Sequence, residues 1–481
     1  MGAGPHAGVR TSGPHFAPRL WIRPLARPAR PDDSKRTCCL VTLGCPKNLV
    51  DSERMLGLLR SAGYELVTQP EGADFVLVNT CGFIQSAREE SLSAIREMID
   101  LKRRGLTGGL IVAGCLAERE RESLLKACPG IDQLVGVFAR DEITEAARRL
   151  TSGEDDDRAV FRSAPSCPLS DRDRLRVTSR HVSYLKIAEG CDRRCTFCTI
   201  PAIRGPYASK PPEEVIAEAR QLATDGVREL ILIAQDTTYY GMDRGGRSQL
   251  APLLARLNEV AGLEWIRLMY LYPVHVTEEL IDVVASGGKI LPYLDLPLQH
   301  INDQVLGRMN RGITRAETEA LVDRLRERIE GLVLRTTLIA GFPGETEEQF
   351  EELLRFVVER KFERLGVLAY SQERDTPAGR FDGQLPEEVR RSRSDRLLLA
   401  QQEVAFAWNE SRVGWQGDVI IDRYIPGEKN AYIGRSYAHA PDVDGVVYVT
   451  GDDLRPGRIV PCEIVAAREY DWVGVAIADP R

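Results

Sequence analysis

Between residues 181 and 410 a short apolar run gives way to an amphipathic helical pattern six times over, which limits the chain to very few folds. The strand runs are predicted near 184–188, 229–234, 266–271, 293–298, 334–340 and 364–370. One of the intervening helices opens at Pro212-Glu213-Glu214, carries Val215, Ile216, Ala219, Leu222 and Ala223 on one face, and stops at Gly226. Another opens at Thr346, with Gln349 completing a capping box. Six consecutive strand–helix units predict a barrel or partial barrel whose working residues gather at the carboxyl ends of the strands.

The flanks differ in pattern. Residues 37–150 alternate strand runs (37–43, 75–79, 110–113) with helical segments, one of them starting after Asp51 and ending before Gly63, which predicts an open, mostly parallel α/β sheet. Residues 151–180, with Ser152-Gly153-Glu154-Asp155-Asp156-Asp157, Pro165 and Pro168, read as a linker. Residues 413–476 change to short strand runs (419–421, 446–449, 459–464, 473–477) parted by Pro-Gly and Asp-Gly turns, the pattern of a small all-β barrel. Residues 1–36 hold seven Lys/Arg, two acids and repeated Pro and Gly, and read as a disordered tail or as a start placed too far upstream, with an organelle-targeting peptide as the minor alternative. They lack the apolar core of a secretory signal, and no apolar run in the chain approaches the ~20 residues that span a bilayer. The expected location is the cytoplasm, away from membranes, with thiols reduced.

That expectation gives weight to the eleven cysteines, an odd number. Three of them form C-x3-C-x2-C directly after the first strand of the six-fold repeat: Cys191, Cys195 and Cys198. Three thiolates so close belong on a loop and suit a 4Fe-4S cluster with one iron left open to a ligand. A structural zinc site would need a fourth ligand nearby, and the nearest candidate, His181, lies before the strand. Cys45, Cys81 and Cys115 each follow a predicted strand of the first domain beside Gly44, Gly82 and Gly114. Carboxyl ends of parallel strands share one edge, so these three are expected to converge although remote in sequence.

The triplet, with Phe197 just before its third cysteine, resembles the radical S-adenosylmethionine (SAM) superfamily. The resemblance implies that the open iron binds SAM and that an electron from the cluster cleaves it to a 5′-deoxyadenosyl radical. It places Phe197, Gly341 and Glu345 at the SAM pocket, the last two in the strand-end run Gly341-Phe342-Pro343-Gly344-Glu345, and Gln299 is added as a candidate for its place at a strand end. Gln299-His300 ends the fourth strand, where a lone histidine is more often structural. The domain order over about 37–476 is similar to the methylthiotransferase family. That similarity implies a second 4Fe-4S cluster on Cys45, Cys81 and Cys115. Two SAM molecules then serve, one as methyl donor and one as radical source, with a sulfur donor and a low-potential electron donor. Cys38, Cys39, Cys128, Cys167 and Cys462 match nothing and read as inert thiols.

The C-terminal block resembles a TRAM domain, which binds RNA in several relatives. Net charge is -7 for the chain, and residues 413–481 carry seven Lys/Arg against eleven Asp/Glu. A surface tracking phosphates needs the opposite sign, so RNA contact is disfavoured and a basic protein partner favoured. The stretches Leu43-Gly44-Cys45-Pro46-Lys47-Asn48-Leu49-Val50-Asp51-Ser52-Glu53 and Gly434 to Gly445 resemble the branch of the family that modifies ribosomal protein uS12, free or in the small subunit. By this resemblance Arg435, Asp442 and Asp444 contact the substrate, and the reaction is methylthiolation of an aspartate β-carbon. In that branch an acid generally stands where this chain has His439. The competing readings are a tRNA adenosine methylthiotransferase and a non-catalytic iron–sulfur sensor or carrier.

Overall fold

A computed structural model describes residues 20–21, 36–152 and 158–477. The first domain is built on a sheet of seven strands: β1 (Leu20–Trp21), β2 (Thr37–Thr42), β3 (Glu65–Val67), β4 (Phe75–Thr80), β5 (Gly109–Gly114), β6 (Gln133–Val135) and β7 (Ala159–Val160). They run β1-β2-β4-β5-β6-β7 with β3 also beside β2, all parallel except β1, which pairs antiparallel with β2. β2, β4 and β5 are buried along their whole length, which is why they read as near-continuous apolar runs.

The expected disorder of residues 1–36 concerns positions almost wholly outside the described residues, but Leu20–Trp21 holds a strand register on Val41 and Thr42. The linker reading of 151–180 needs a correction. Ala159 and Val160 extend the first sheet, and Asp171 is fully buried at the domain junction. The segment's polarity marks internal ion pairs as well as solvent.

The central domain has six parallel strands, β8 (Val182–Lys186), β11 (Glu229–Ile233), β12 (Trp265–Leu268), β13 (Ile290–Asp295), β14 (Val333–Ala340) and β15 (Arg364–Ala369), in sequential order and without closure. Between β8 and β11 a two-residue pair, β9 (Ala188–Glu189) and β10 (Ala208–Ser209), braces the first loop. The helix Pro212–Thr224 starts on its proline, and Thr346 with Gln349 forms the expected capping box for Glu347–Arg360. This is the partial (βα)6 barrel that the six-fold repeat indicates. The third domain is a closed barrel of β16 (Gln416–Tyr424), β17 (Ala431–Ser436), β18 (Val447–Thr450), β19 (Ile459–Arg468) and β20 (Asp471–Ala476).

The two faces of the open barrel are covered differently. Its outer face packs on its own helices through Leu185, Leu230, Leu232, Leu268 and Leu294. Its inner face, with Tyr184, Ile231, Ile233, Met269 and Tyr293, packs on Leu49 and Val50 of the first domain and Ala438, Ala440 and Trp472 of the third. Both other domains therefore fill the barrel that the six strands leave open. Among the described residues no helix is long and apolar enough to cross a membrane.

Candidate active site

The inner face ends in one cavity of about 410 Å³ at the junction of all three domains. All six cysteines of the two sequence constellations line it, together with Phe197 and Gln299. The first three sit where geometry expects them. Cys45 precedes the helix Pro46–Ser61, whose amino terminus favours negative charge. Cys81 follows β4, and Cys115 follows β5 and opens the helix Cys115–Glu120. The three turns pack against one another without intervening side chains. A Cβ on Gly44, at φ +89, would stand 2.7 Å from Cys81 Cβ and 3.0 Å from its sulfur, and one on Gly82 would stand 2.9 Å from the Cys115 backbone.

Asn48 ties the three turns together. Its amide donates to Leu43 O (3.0 Å) and Thr80 O (2.7 Å), while its carbonyl oxygen accepts from the Cys115 thiol at 3.4 Å and from Arg204 Nη2 at 2.6 Å. Ser91 Oγ clamps the Cys81 backbone, accepting from its N–H (3.0 Å) and donating to its carbonyl (2.9 Å). Arg204, six residues beyond Cys198 in the barrel's first loop, reaches back and donates through Nε and Nη2 to Cys115 Sγ, each at 3.3 Å. Sequence reasoning assigned Asn48, Ser91 and Arg204 no role, because nothing in their spacing shows what they reach.

The second triplet lies on the loop after β8. Backbone N–H groups of Arg193 and Ile200 donate to Cys191 Sγ (3.4 Å) and Cys198 Sγ (3.5 Å). Arg311 Nη1 donates to Cys195 Sγ at 3.3 Å, its guanidinium stacked 4.2 Å over the Tyr272 ring. Burial raises the Cys115 and Cys191 thiols to about 11, against the pull of Arg204 on the first and of the Arg193 N–H on the second. It raises Cys81 and Cys198 still further. As free thiols they stay protonated, so taking up metal releases their protons and needs the metal's positive charge.

This donor set fits iron–sulfur clusters. Each triplet offers three thiols and N–H donors aimed at sulfur, the contacts that tune such clusters. Among the described residues no three His, Cys, Asp or Glu side chains converge as on a single metal ion. A cubane asks for less, because its irons are spread over separate corners. The cavity also holds an orphaned polar atom: Gln299 Oε1 lines it, buried and without a hydrogen-bond partner among the described residues. Gln299 takes φ +75, and strain of this kind clusters where side chains serve a ligand.

The remaining expected site residues fall elsewhere. Glu345 is buried and caps its own turn: it accepts from the N–H groups of Gly341 (3.1 Å) and Phe342 (3.3 Å) and pairs with Arg393 at 2.7 Å. Gly341, at φ +76, packs against Arg390, and neither residue lines the cavity. Their glycine and carboxylate answer the geometry of the turn. Arg435 is likewise not a free contact. It is buried and its donors go to Asp422, Glu229 and the His439 carbonyl, joining the C-terminal barrel to β11. Asp444 accepts from Tyr293 Oη (2.7 Å) and from the Ala440 N–H (2.8 Å). Of Arg435, Asp442 and Asp444 only Asp442 lines the cavity, beside Ala440, Pro441 and Val443 and 3.3 Å from Tyr184 Oη. His439 is buried between Ser436 Oγ and Arg364. Cys38, Cys39, Cys128, Cys167 and Cys462 do not line the cavity, and burial pushes Cys38, Cys39 and Cys462 up to about 12.

Comparison with known proteins agrees with this architecture domain by domain. Residues 37–136 match the uncharacterized protein family UPF0004, 185–357 the Radical SAM superfamily, and 413–477 the TRAM domain. The chain is 46% identical over 437 residues to the ribosomal protein uS12 methylthiotransferase RimO of Lachnoclostridium phytofermentans, covering 91% of this chain and 99% of the relative. It is 45% identical to the protein of the same name from Symbiobacterium thermophilum, over 91% and 90% of the two chains. Among solved structures, the radical SAM methyltransferase TsrM of Kitasatospora setae superposes with a TM-score of 0.52 at 18% identity, over 72% of this chain and 75% of that one, a likeness of fold. Membership of the superfamily brings with it a 4Fe-4S cluster and SAM. With near-complete coverage of such relatives, all three domains in order and a cysteine-lined cavity where they meet, this chain belongs to the RimO family of radical SAM methylthiotransferases.

Proposed function

We propose that this chain transfers a methylthio group to the β-carbon of an aspartate of ribosomal protein uS12. The observation that carries the reading is the opening of both cysteine triplets into one cavity, so that two iron–sulfur centres would face a single substrate. Cys191, Cys195 and Cys198 would hold the cluster that binds SAM, and Cys45, Cys81 and Cys115 the second. When bound, these groups and two SAM molecules supply one-electron hydrogen abstraction and a methylated sulfur, with electrons and sulfur delivered by outside donors.

The chain's own residues keep that chemistry dry and aligned. Leu43, Leu49, Ile84, Ile231, Met269 and Leu368 make the walls largely apolar, which excludes water from a reactive intermediate. Arg204 and Asn48 fix Cys115, and Arg311 fixes Cys195, by hydrogen bonds from buried positions. The acidic balance of the C-terminal segment favours a basic protein partner over RNA.

The test is intact-mass analysis of uS12, with nucleoside analysis of tRNA, from cells with and without the gene. A methylthio-sized increment on uS12 that disappears with the gene, tRNA unchanged, is the expected result. Loss of a methylthio-nucleoside instead would move the substrate to tRNA, and no change in either would revive a non-catalytic iron–sulfur protein.

A further inference from the structure

Five cationic side chains line the cavity: Lys47, Arg193, Arg204, Arg311 and Arg335. Four are already engaged. Arg193 pairs with Asp236 at 2.8 Å, Arg204 with Asp51 at 2.8 Å, and Arg335 with Asp295 at 3.0 Å. Arg311 spends its two terminal nitrogens on Cys195 Sγ and the Pro297 carbonyl. Lys47 is different. It is only 4% exposed, and its Nζ sits 3.1 Å from the centroid of the Tyr270 ring. Among the described residues it has no carboxylate or other hydrogen-bond acceptor.

A ring face stabilises an ammonium without neutralising it, and Cys45, Asp295 and Glu189 act on it only through space, so Lys47 turns a positive charge with no hydrogen-bonded anion toward a largely apolar cavity. The ring is held there against a backbone preference. Tyr270 takes φ +61, secured by its N–H donating to Asp295 Oδ2 (3.0 Å) and its carbonyl accepting from the Thr237 N–H (2.9 Å). Lys47 also lies two residues after Cys45, in the first turn of the helix Pro46–Ser61, beside the triplet that the proposed function pairs with sulfur.

We infer that the Lys47 ammonium, supported on the Tyr270 ring, binds the side-chain carboxylate of the acceptor residue and selects an acid over a neutral acceptor. This rests on the function proposed above. The carboxylate carbon of an aspartate is bonded directly to its β-carbon, so anchoring the one positions the other. A neutral amide or nucleobase would leave the ammonium buried without its anion, and that asymmetry is the source of selectivity.

The experiment uses holoenzyme with SAM and reductant on intact uS12, reading the mass increment and counting 5′-deoxyadenosine in parallel. Lys47→Met is expected to keep its iron and to cleave SAM. Its KM for uS12 should rise, or its product per 5′-deoxyadenosine fall, by about tenfold to a hundredfold, the reach of one charge-assisted hydrogen bond in a dry site. Lys47→Arg should recover most of this. A uS12 carrying Asn at the acceptor position should lose a similar factor with the wild-type enzyme and nothing more with Lys47→Met. Unchanged KM and product for Lys47→Met, or losses that multiply, would overturn the anchor while the function stands. Iron lost from Lys47→Met but not from Lys47→Arg would also overturn it, by giving the lysine to the cysteine triplet. No increment on uS12 with the wild-type enzyme would overturn the function, and the anchor with it.

Discussion

Replacing Arg204 by Met removes the side chain that joins the two cysteine sites, and the structure sets the size of the effect. Arg204 stands in a buried network where Arg140, Lys186, Arg204 and Lys210 face Asp51, Asp171, Glu189 and Glu218. Burial pushes the Asp51 carboxyl up, but Lys186, Arg204 and Arg140 more than offset this and hold it below the usual range. Without Arg204 the network carries an excess negative charge away from water. Asp51 and Glu189 keep Lys186 at 2.7 and 2.9 Å, so neither is stripped of every partner. The expected loss is therefore near the range for breaking a buried ion pair, about 3–5 kcal/mol.

Arg204→Lys restores the charge but not the fork that spans Asp51, Asn48 and Cys115, and should lose about 1.5–3 kcal/mol, the worth of a hydrogen bond to a charged group. Urea unfolding followed by tryptophan fluorescence reads both numbers, and iron bound per chain should fall in the same order, Met below Lys below wild type. If Arg204→Met unfolds within about 1 kcal/mol of wild type, inside the spread of ordinary substitutions, the network does not hold the domains together.

Further outcomes can be checked singly. On the proposed two-cluster reading, Ala at Cys45, Cys81 or Cys115 should remove about half the iron and all methylthio product while SAM cleavage persists; Ala at Cys191, Cys195 or Cys198 should abolish cleavage as well, whereas Cys462→Ser should leave the iron content unchanged. Gly44→Ala should cost about 1–2 kcal/mol for its left-handed backbone and, with a Cβ 2.7 Å from Cys81 Cβ, lower iron retention measured by absorbance. The His439 imidazole is held well below its ordinary pKa, by burial first and then by Arg364, Arg267 and Arg435. Below about pH 6.5 the unfolded chain takes up a proton that the folded one refuses, so stability should fall with pH by up to about 1.4 kcal/mol per unit from this group. Melting temperatures at pH 7.5 and 5.5 should show that slope flattened in His439→Gln.

Much of the architecture was legible because it lies in local periodicity. The fully buried strands Thr37–Thr42, Phe75–Thr80 and Gly109–Gly114 announce themselves as apolar runs, and the six units of the barrel as alternating strand and helix. β17 escaped notice because Gly434, Arg435 and Ser436 break its apolar alternation. β7 escaped because two residues between polar stretches carry too little pattern.

At the site, the gathering of the six cysteines was legible in spacing and strand-end placement. Their turns are local, and parallel strands bring their carboxyl ends to one edge whatever lies between. Which side chains surround them was not. Arg204, Asn48 and Lys47 matter through what they face, and those partners come from Cys115, Asp51 and Tyr270, up to 223 residues away in sequence for the Lys47–Tyr270 pair. The same physics reassigns Arg435, Asp444 and Glu345: a charged residue in a motif looks alike in sequence whether it meets substrate or a buried counter-charge. Only the tertiary structure, by placing three domains around one open barrel, decides which cations are paired and which one rests on a ring face instead.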